Sequence, residues 1–106
     1  MSTQYKSNLE YLKNYRAVAE RVKEIVKLLD PSAKIYVFGS VVRGLYTASS
    51  DIDILIITEN INLKYNIMVA VYRELIDAPI QLHVVTPELY EKWYKRFIKP
   101  DEIIEI

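Results

Sequence analysis

The sequence predicts an α/β (α+β) fold, a small mixed sheet of three or more strands flanked by helices. Three observations carry this reading. Apolar residues recur at three- and four-residue steps over 4–29 and again over 61–76, the spacing of one helix face. Between and after these stretches lie short runs rich in β-branched residues, at 34–38, 51–58 and 80–85. Proline-containing breakers, Asp30-Pro31-Ser32 and Asp77-Ala78-Pro79, close both helical stretches. The predicted order is α-β-α-β-α-β-α, helices covering one sheet. At 106 residues the chain is expected to form a single domain, 1–106, with one modest core.

Residues 4–29 read as one helix or two abutting ones, with Leu9, Leu12, Ala19, Val22, Ile25, Val26 and Leu29 on the apolar stripe. Tyr5, Tyr11 and Tyr15 lie partly off that stripe, so some are expected at the surface. Residues 34–38 form a buried strand that stops at Gly39-Ser40, and a turn of helix is expected over 41–45. Residues 51–58 are apolar on both faces, as a central strand would be. Ile67, Val71 and Leu75 mark the inner stripe of the 61–76 helix. Residues 80–85 alternate, Ile80, Leu82 and Val84 on one face and Gln81, His83 and Val85 on the other. Thr86-Pro87 then offers an N-cap and a proline at the first helical position. Tyr90, Trp93, Tyr94 and Phe97 follow at helical spacing, either packing that last helix on the sheet or facing a partner. The tail 100–106 fits no pattern.

Composition narrows the function classes. About half the residues are hydrophobic and about a quarter charged, as in ordinary globular proteins. No apolar run is long enough for a membrane helix, and no signal-like segment opens the chain. With no cysteine there is neither a disulfide framework nor a thiolate metal site, and a cytoplasmic location is expected. Lys plus Arg balance Asp plus Glu at 14 each, so no strong polynucleotide binding is expected.

Two stretches carry chemistry. In the first, Gly39 allows a sharp turn and close approach of backbone to a ligand, Ser40 and the following amides can point at an anion, and Arg43 can reach phosphate oxygens. In the second, Ser50-Asp51-Ile52-Asp53 opens the most apolar strand. Residues two apart on a strand share a face, with Cα atoms roughly 6.5 Å apart at ~3.3 Å rise per residue. Asp51 and Asp53 would therefore set two carboxylates side by side, and their repulsion and desolvation call for a cation. A carboxylate pair of this kind can bridge two divalent ions about 4 Å apart in phosphoryl transfer. Oxygen ligands favour Mg²⁺, with Mn²⁺ possible, over Zn²⁺. Taken singly, each feature is commonly a plain turn, a solvated strand end or a surface arginine; the combination is what is specific.

The stretches Phe38-Gly39-Ser40-Val41-Val42-Arg43-Gly44 and Ser50-Asp51-Ile52-Asp53-Ile54-Leu55-Ile56 closely resemble the signature of the DNA polymerase beta-like nucleotidyltransferases. The likeness is greatest to their minimal members, the MNT proteins often partnered with HEPN-domain proteins. The motif covers about twenty residues, and length and element order fit the minimal domain over nearly the whole chain. The resemblance implies that Gly39 and Ser40 contact the β/γ-phosphates of a nucleoside triphosphate, assisted by Arg43 and Ser50, and that Asp51 and Asp53 hold the metals. It further implies transfer of a nucleoside monophosphate to a hydroxyl with release of pyrophosphate. A tyrosine of a HEPN-type partner is one candidate acceptor.

The chain departs from that pattern in one respect. The family commonly carries a third carboxylate on the next core strand, whereas residues 80–85 hold Gln81 and His83 and no acid. His83 could accept the hydroxyl proton or ligate a metal, or it could be an ordinary half-buried strand residue. Gln81 could orient a water or substrate but cannot be a base. The departure leaves two alternatives to a working enzyme, an antitoxin-like interaction subunit that masks a HEPN-type ribonuclease and a regulator that binds NTP without chemistry. A chain this small lacks the second lobe with which larger relatives read the acceptor. A homodimer or a separate helical partner could supply it.

Overall fold

Ile52, Ile54, Leu55 and Ile56 are all but inaccessible to solvent, and the architecture follows from covering them on both sides. The computed structural model describes residues 7–106. A four-stranded sheet has the order β3-β2-β1-β4, where β1 is Lys34–Phe38, β2 Ile52–Ile57, β3 Ile80–Val85 and β4 Ile103–Glu105. β1 runs antiparallel to both β2 and β4, and β2 runs parallel to β3, so the sheet is mixed.

The helices cover one face. α1 (Asn8–Lys13) and α2 (Tyr15–Leu29) are separated by Asn14, whose φ of −106° and ψ of 32° leave the helical region. The abutting pair is therefore the observed form of the first predicted helix; residues 4–6, and with them Tyr5, lie outside the described residues. α3 (Lys64–Glu74) follows a 3-10 turn at Ile61–Leu63 and supplies the crossover that two parallel strands require. It ends before the predicted residue 76, and Ile76 is 79% exposed. Val22, Val26, Ile67 and Val71 meet Ile35, Val37, Ile52, Ile54, Ile56, Leu82 and Val84 in the main core, with Tyr11 and Tyr15 half-buried at its edge. At ~1.5–3 kcal/mol per fully buried aliphatic side chain, this face supplies the main drive to fold.

The other face is thinner. Phe38, Leu55 and Val85 are buried there beneath Tyr90, Tyr94, Ile98 and Ile103. The covering segment begins as predicted, with Thr86 Oγ1 accepting from the Leu89 N–H and Pro87 in the first turn of α4 (Pro87–Leu89). It then widens into a π-helical turn at Tyr90–Tyr94 before α5 (Lys95–Phe97). The aromatic stripe is divided: Tyr90 and Tyr94 pack inward, while Trp93 and Phe97 stay 60% and 52% exposed. After a 3-10 turn at Pro100–Glu102 the tail returns as β4 beside β1, a strand its sequence did not announce. Among the described residues no helix is long and apolar enough to cross a membrane.

Candidate nucleotide and metal site

Antiparallel register places Phe38, the last residue of β1, opposite Asp53 of β2, so the turn that follows β1 is brought against that carboxylate. Gly39 adopts φ +92°, and a Cβ at that position would lie 3.0 Å from Asp53 Oδ2. Glycine is thus required twice, by conformation and by the approach of the acid. The Gly39 N–H donates to the Glu102 carbonyl at 2.8 Å, which anchors the turn to the segment leading into β4. Where a turn of helix was expected, the chain makes consecutive three-residue steps: Val42, Arg43 and Gly44 N–H donate to the Gly39, Ser40 and Val41 carbonyls. Val41, 1% exposed, pins the coil to the main core. Among the described residues the Ser40 and Val41 N–H groups have no protein acceptor, and since Val41 is buried while Ser40 is exposed, the donor an anion can reach is the Ser40 N–H and not the Gly39 N–H.

Asp53 has a half-buried side chain, and its Oδ1 lies 3.3 Å from His83 Nε2. His83 Nδ1 lies 3.3 Å from Tyr94 Oη. Burial pushes the Tyr94 phenol above its ordinary pKa, so it keeps its proton. A carboxylate can only accept, so the bond to Asp53 places a proton on Nε2, and with a neutral ring the Tyr94 O–H donates to Nδ1. Phe38 seats the imidazole from the side of the turn, ring centroids 5.1 Å apart, and meets Tyr94 edge-on at 6.4 Å.

Gly39, Asp53 and His83, all singled out from sequence, are therefore brought together. Asp51 stands exposed immediately before β2, one residue outside the strand predicted to contain it. Gln81, the register partner of Asp53 on β3, is exposed. Ser50 Oγ accepts from the Thr47 N–H at 2.9 Å while its own N–H donates to the Thr47 carbonyl, which closes the loop leading to the acids. Arg43 faces two acids of the tail, Asp101 at 3.9 Å and Glu102 at 3.8 Å. Sequence reasoning missed Phe38, Tyr94 and Glu102 as members of this site. The four-residue spacing of Tyr90 and Tyr94 did mark one inward face, but nothing local announced that Tyr94 meets His83.

Among the described residues no group of three or more histidine or acidic side chains gathers to hold a metal, so a cation here would rest on Asp51 and Asp53 alone. Mg²⁺ is commonly held by one or two carboxylates, with substrate phosphates and waters completing its shell. Asp53 offers Oδ2 on the side of the Gly39 turn, where no side chain intervenes, and Asp51 is solvent-accessible.

The profile of the nucleotidyltransferase domain family matches residues 19–105, which include the Gly39 turn and both aspartates. A crystal structure of a candidate nucleotidyltransferase is 32% identical with a TM-score of 0.67, covering 82% of this chain and 95% of that one. A second, from Sulfolobus solfataricus, is 22% identical with a TM-score of 0.61 over 99% of this chain and 90% of its own, a likeness of fold. Cid1, an RNA terminal uridylyl transferase, shares the fold at 20% identity and a TM-score of 0.50, over 74% of this chain and 32% of Cid1. No curated protein matches the chain. A family match spanning the sheet and the carboxylate-bearing turn, on a fold held in common with a relative at this identity, leads to one conclusion: the chain belongs to the nucleotidyltransferase family as a minimal polymerase beta-like member, an enzyme of that class.

Proposed function

We propose that the protein transfers a nucleoside monophosphate from a Mg²⁺-bound NTP to a hydroxyl group. The observation that carries this reading is the close approach of Asp53 Oδ2 to the Gly39 turn, whose next residue, the exposed Ser40, keeps an unbonded N–H. The Ser40 N–H and hydroxyl would receive phosphate oxygens. Asp51 and Asp53 would hold Mg²⁺, or Mn²⁺ in its place. A bound cation of this kind supplies charge neutralisation at the transferring phosphoryl group. The acceptor oxygen then bonds to the α-phosphorus, the bond to the bridging oxygen breaks, and pyrophosphate leaves. His83 orients Asp53 through Nε2–H. When that carboxylate is engaged elsewhere, Tyr94 Oη can accept from Nδ1–H instead of donating, which frees Nε2 to take the acceptor's proton. Arg43 is held by Asp101 and Glu102 and would have to leave them to reach a phosphate.

In this reading a tyrosine of a HEPN-domain partner is one candidate acceptor, within a toxin–antitoxin pair in the cytoplasm. Asp53→Asn removes one of the two negative charges of the acid pair while keeping the side-chain shape. In the presence of an acceptor hydroxyl it is expected to cut pyrophosphate release from Mg-ATP by roughly 10²-fold or more. Unchanged release from the variant would refute the assignment.

A second reading rests on Gln81, an amide where a further acid would face Asp53 across the strands. In it the chain masks a HEPN-type ribonuclease without turnover. Neutralisation would then survive the double change Asp51→Asn with Asp53→Asn, and loss of neutralisation in that double variant would exclude it.

A further inference from the structure

We infer that Trp93 and Phe97 form a stacking subsite for the nucleobase of the bound NTP. The inference rests on the placing of the triphosphate at the Gly39 turn and Asp53. A ladder of rings leads outward from that place. Phe38 and His83 have centroids 5.1 Å apart, His83 and Tyr94 5.7 Å, Tyr94 and Phe97 5.5 Å, and Phe97 and Trp93 6.1 Å. The first rings belong to the thin core and the imidazole touches Asp53. The last two are more than half exposed. Phe97 is thus two ring-to-ring steps from the histidine that holds the carboxylate, a short run for a nucleotide whose phosphates lie at the turn.

The four-residue spacing of each pair makes this arrangement. Tyr90 and Tyr94 pack inward, and Trp93 and Phe97 lie on the outer side, where nothing among the described residues covers them. Their planes meet at 75°, a corner in which a flat heterocycle can lie on one face and turn its edge to the other ring. Stacking on aromatic side chains tolerates every base, because every base has a π-face.

The charge of the whole chain favours a single nucleotide over a strand. On this segment Lys92 and Lys95 pair one turn back with Glu88 at 2.7 Å and Glu91 at 3.2 Å, while Arg96 and Lys99 add positive charge. Over all 106 residues the formal net charge is zero, without the basic excess that tracking a polynucleotide backbone calls for.

Trp93 is the only tryptophan in the chain, so its fluorescence reports on this corner alone. The protein would be titrated with Mg-ATP, Mg-GTP, Mg-CTP and Mg-UTP, and with Mg-tripolyphosphate, which has the phosphates and no base. All four nucleotides are expected to quench Trp93, purines more strongly, while tripolyphosphate leaves it unchanged yet competes for the site in calorimetry. Phe97→Ala and Trp93→Ala should each weaken NTP binding roughly tenfold and leave tripolyphosphate binding as it was. The subsite is overturned, with the proposed function intact, if both variants bind NTP as the parent does while Asp53→Asn still weakens it. If calorimetry detects no nucleotide binding to the parent protein, the subsite and the proposed function fall together.

Discussion

Gly39 and Gly44 show how much one hydrogen atom in place of a methyl decides here. Both have positive φ, +92° and +73°, but only at Gly39 would a Cβ strike anything, and what it strikes is Asp53. Placing an L-residue in the left-handed region costs about 1–2 kcal/mol in either position. Gly44→Ala should lower stability by about that amount in urea melts and leave Mg-NTP affinity unchanged. Gly39→Ala should lower both, because the added methyl must displace Asp53 Oδ2. Equal effects of the two changes on affinity would show that the carboxylate does not need its present position. A second residue, Asp30, acts far from this chemistry. It is 2% exposed and accepts from Thr58 Oγ1, from Ser32 through its N–H at 3.2 Å and its hydroxyl at 2.7 Å, and from Asn60 Nδ2 at 3.3 Å. The Thr58 hydroxyl first, then Ser32 and Asn60, hold its carboxyl below the usual carboxylate value in spite of burial. A depressed folded pKa stabilises above the unfolded value of 3.8, and that stability is lost as pH falls through the folded value. Asp30→Asn should cost about 1–3 kcal/mol at pH 6, since the new NH₂ group meets donors, and should lose less than the parent between pH 6 and pH 3. Melting curves at the two pH values decide it.

At the scale of elements, the last strand couples the tail to the site. β4 pairs Ile103 with Phe38 and Ile104 with Val37, and the residue before it accepts the Gly39 N–H. Ile104 packs against the main core, so Ile104→Asp is expected to destabilise the protein by about 1–3 kcal/mol. The same change should speed hydrogen exchange at the Gly39 amide more than at the amides of β3, because it loosens β4 and not the far edge of the sheet. Uniform acceleration across the sheet would deny the coupling. β4 was not legible in the sequence because three residues carry too little pattern, and Ile103-Ile104-Glu105 becomes a strand only when the edge of β1 offers it hydrogen bonds. β1 and β3 were legible to the residue, and β2 to within one residue at each end, because their apolar runs are bounded by breakers. The π turn was not: a wider turn leaves the identities of Tyr90 to Tyr94 as compatible with an α-helix as before.

For the molecule as a whole, ligand binding and folding are linked. A ligand that binds only the folded state at a hundred times its dissociation constant adds about 2.7 kcal/mol. Saturating Mg-ATP should therefore raise the melting temperature by several degrees, and EDTA or Asp53→Asn should abolish the rise. A rise that persists in the presence of EDTA would separate nucleotide binding from the cation.

The sequence by itself determined the class of fold, the places of the main elements, and the family, since apolar periodicity, breakers and the Gly39-Ser40 and Asp51-x-Asp53 spacings are local properties of the chain. It also placed Gln81 and His83 on one strand face, which alternation alone fixes. Only the tertiary structure decided what each candidate touches. Strand register put Asp53 against the Gly39 turn, the packing of the last helical segment brought Tyr94 to His83, and the returning tail took the Gly39 N–H and drew Arg43 toward Asp101 and Glu102. These are contacts between residues far apart in sequence. Their geometry follows from packing elements against one core, so no local pattern encodes them.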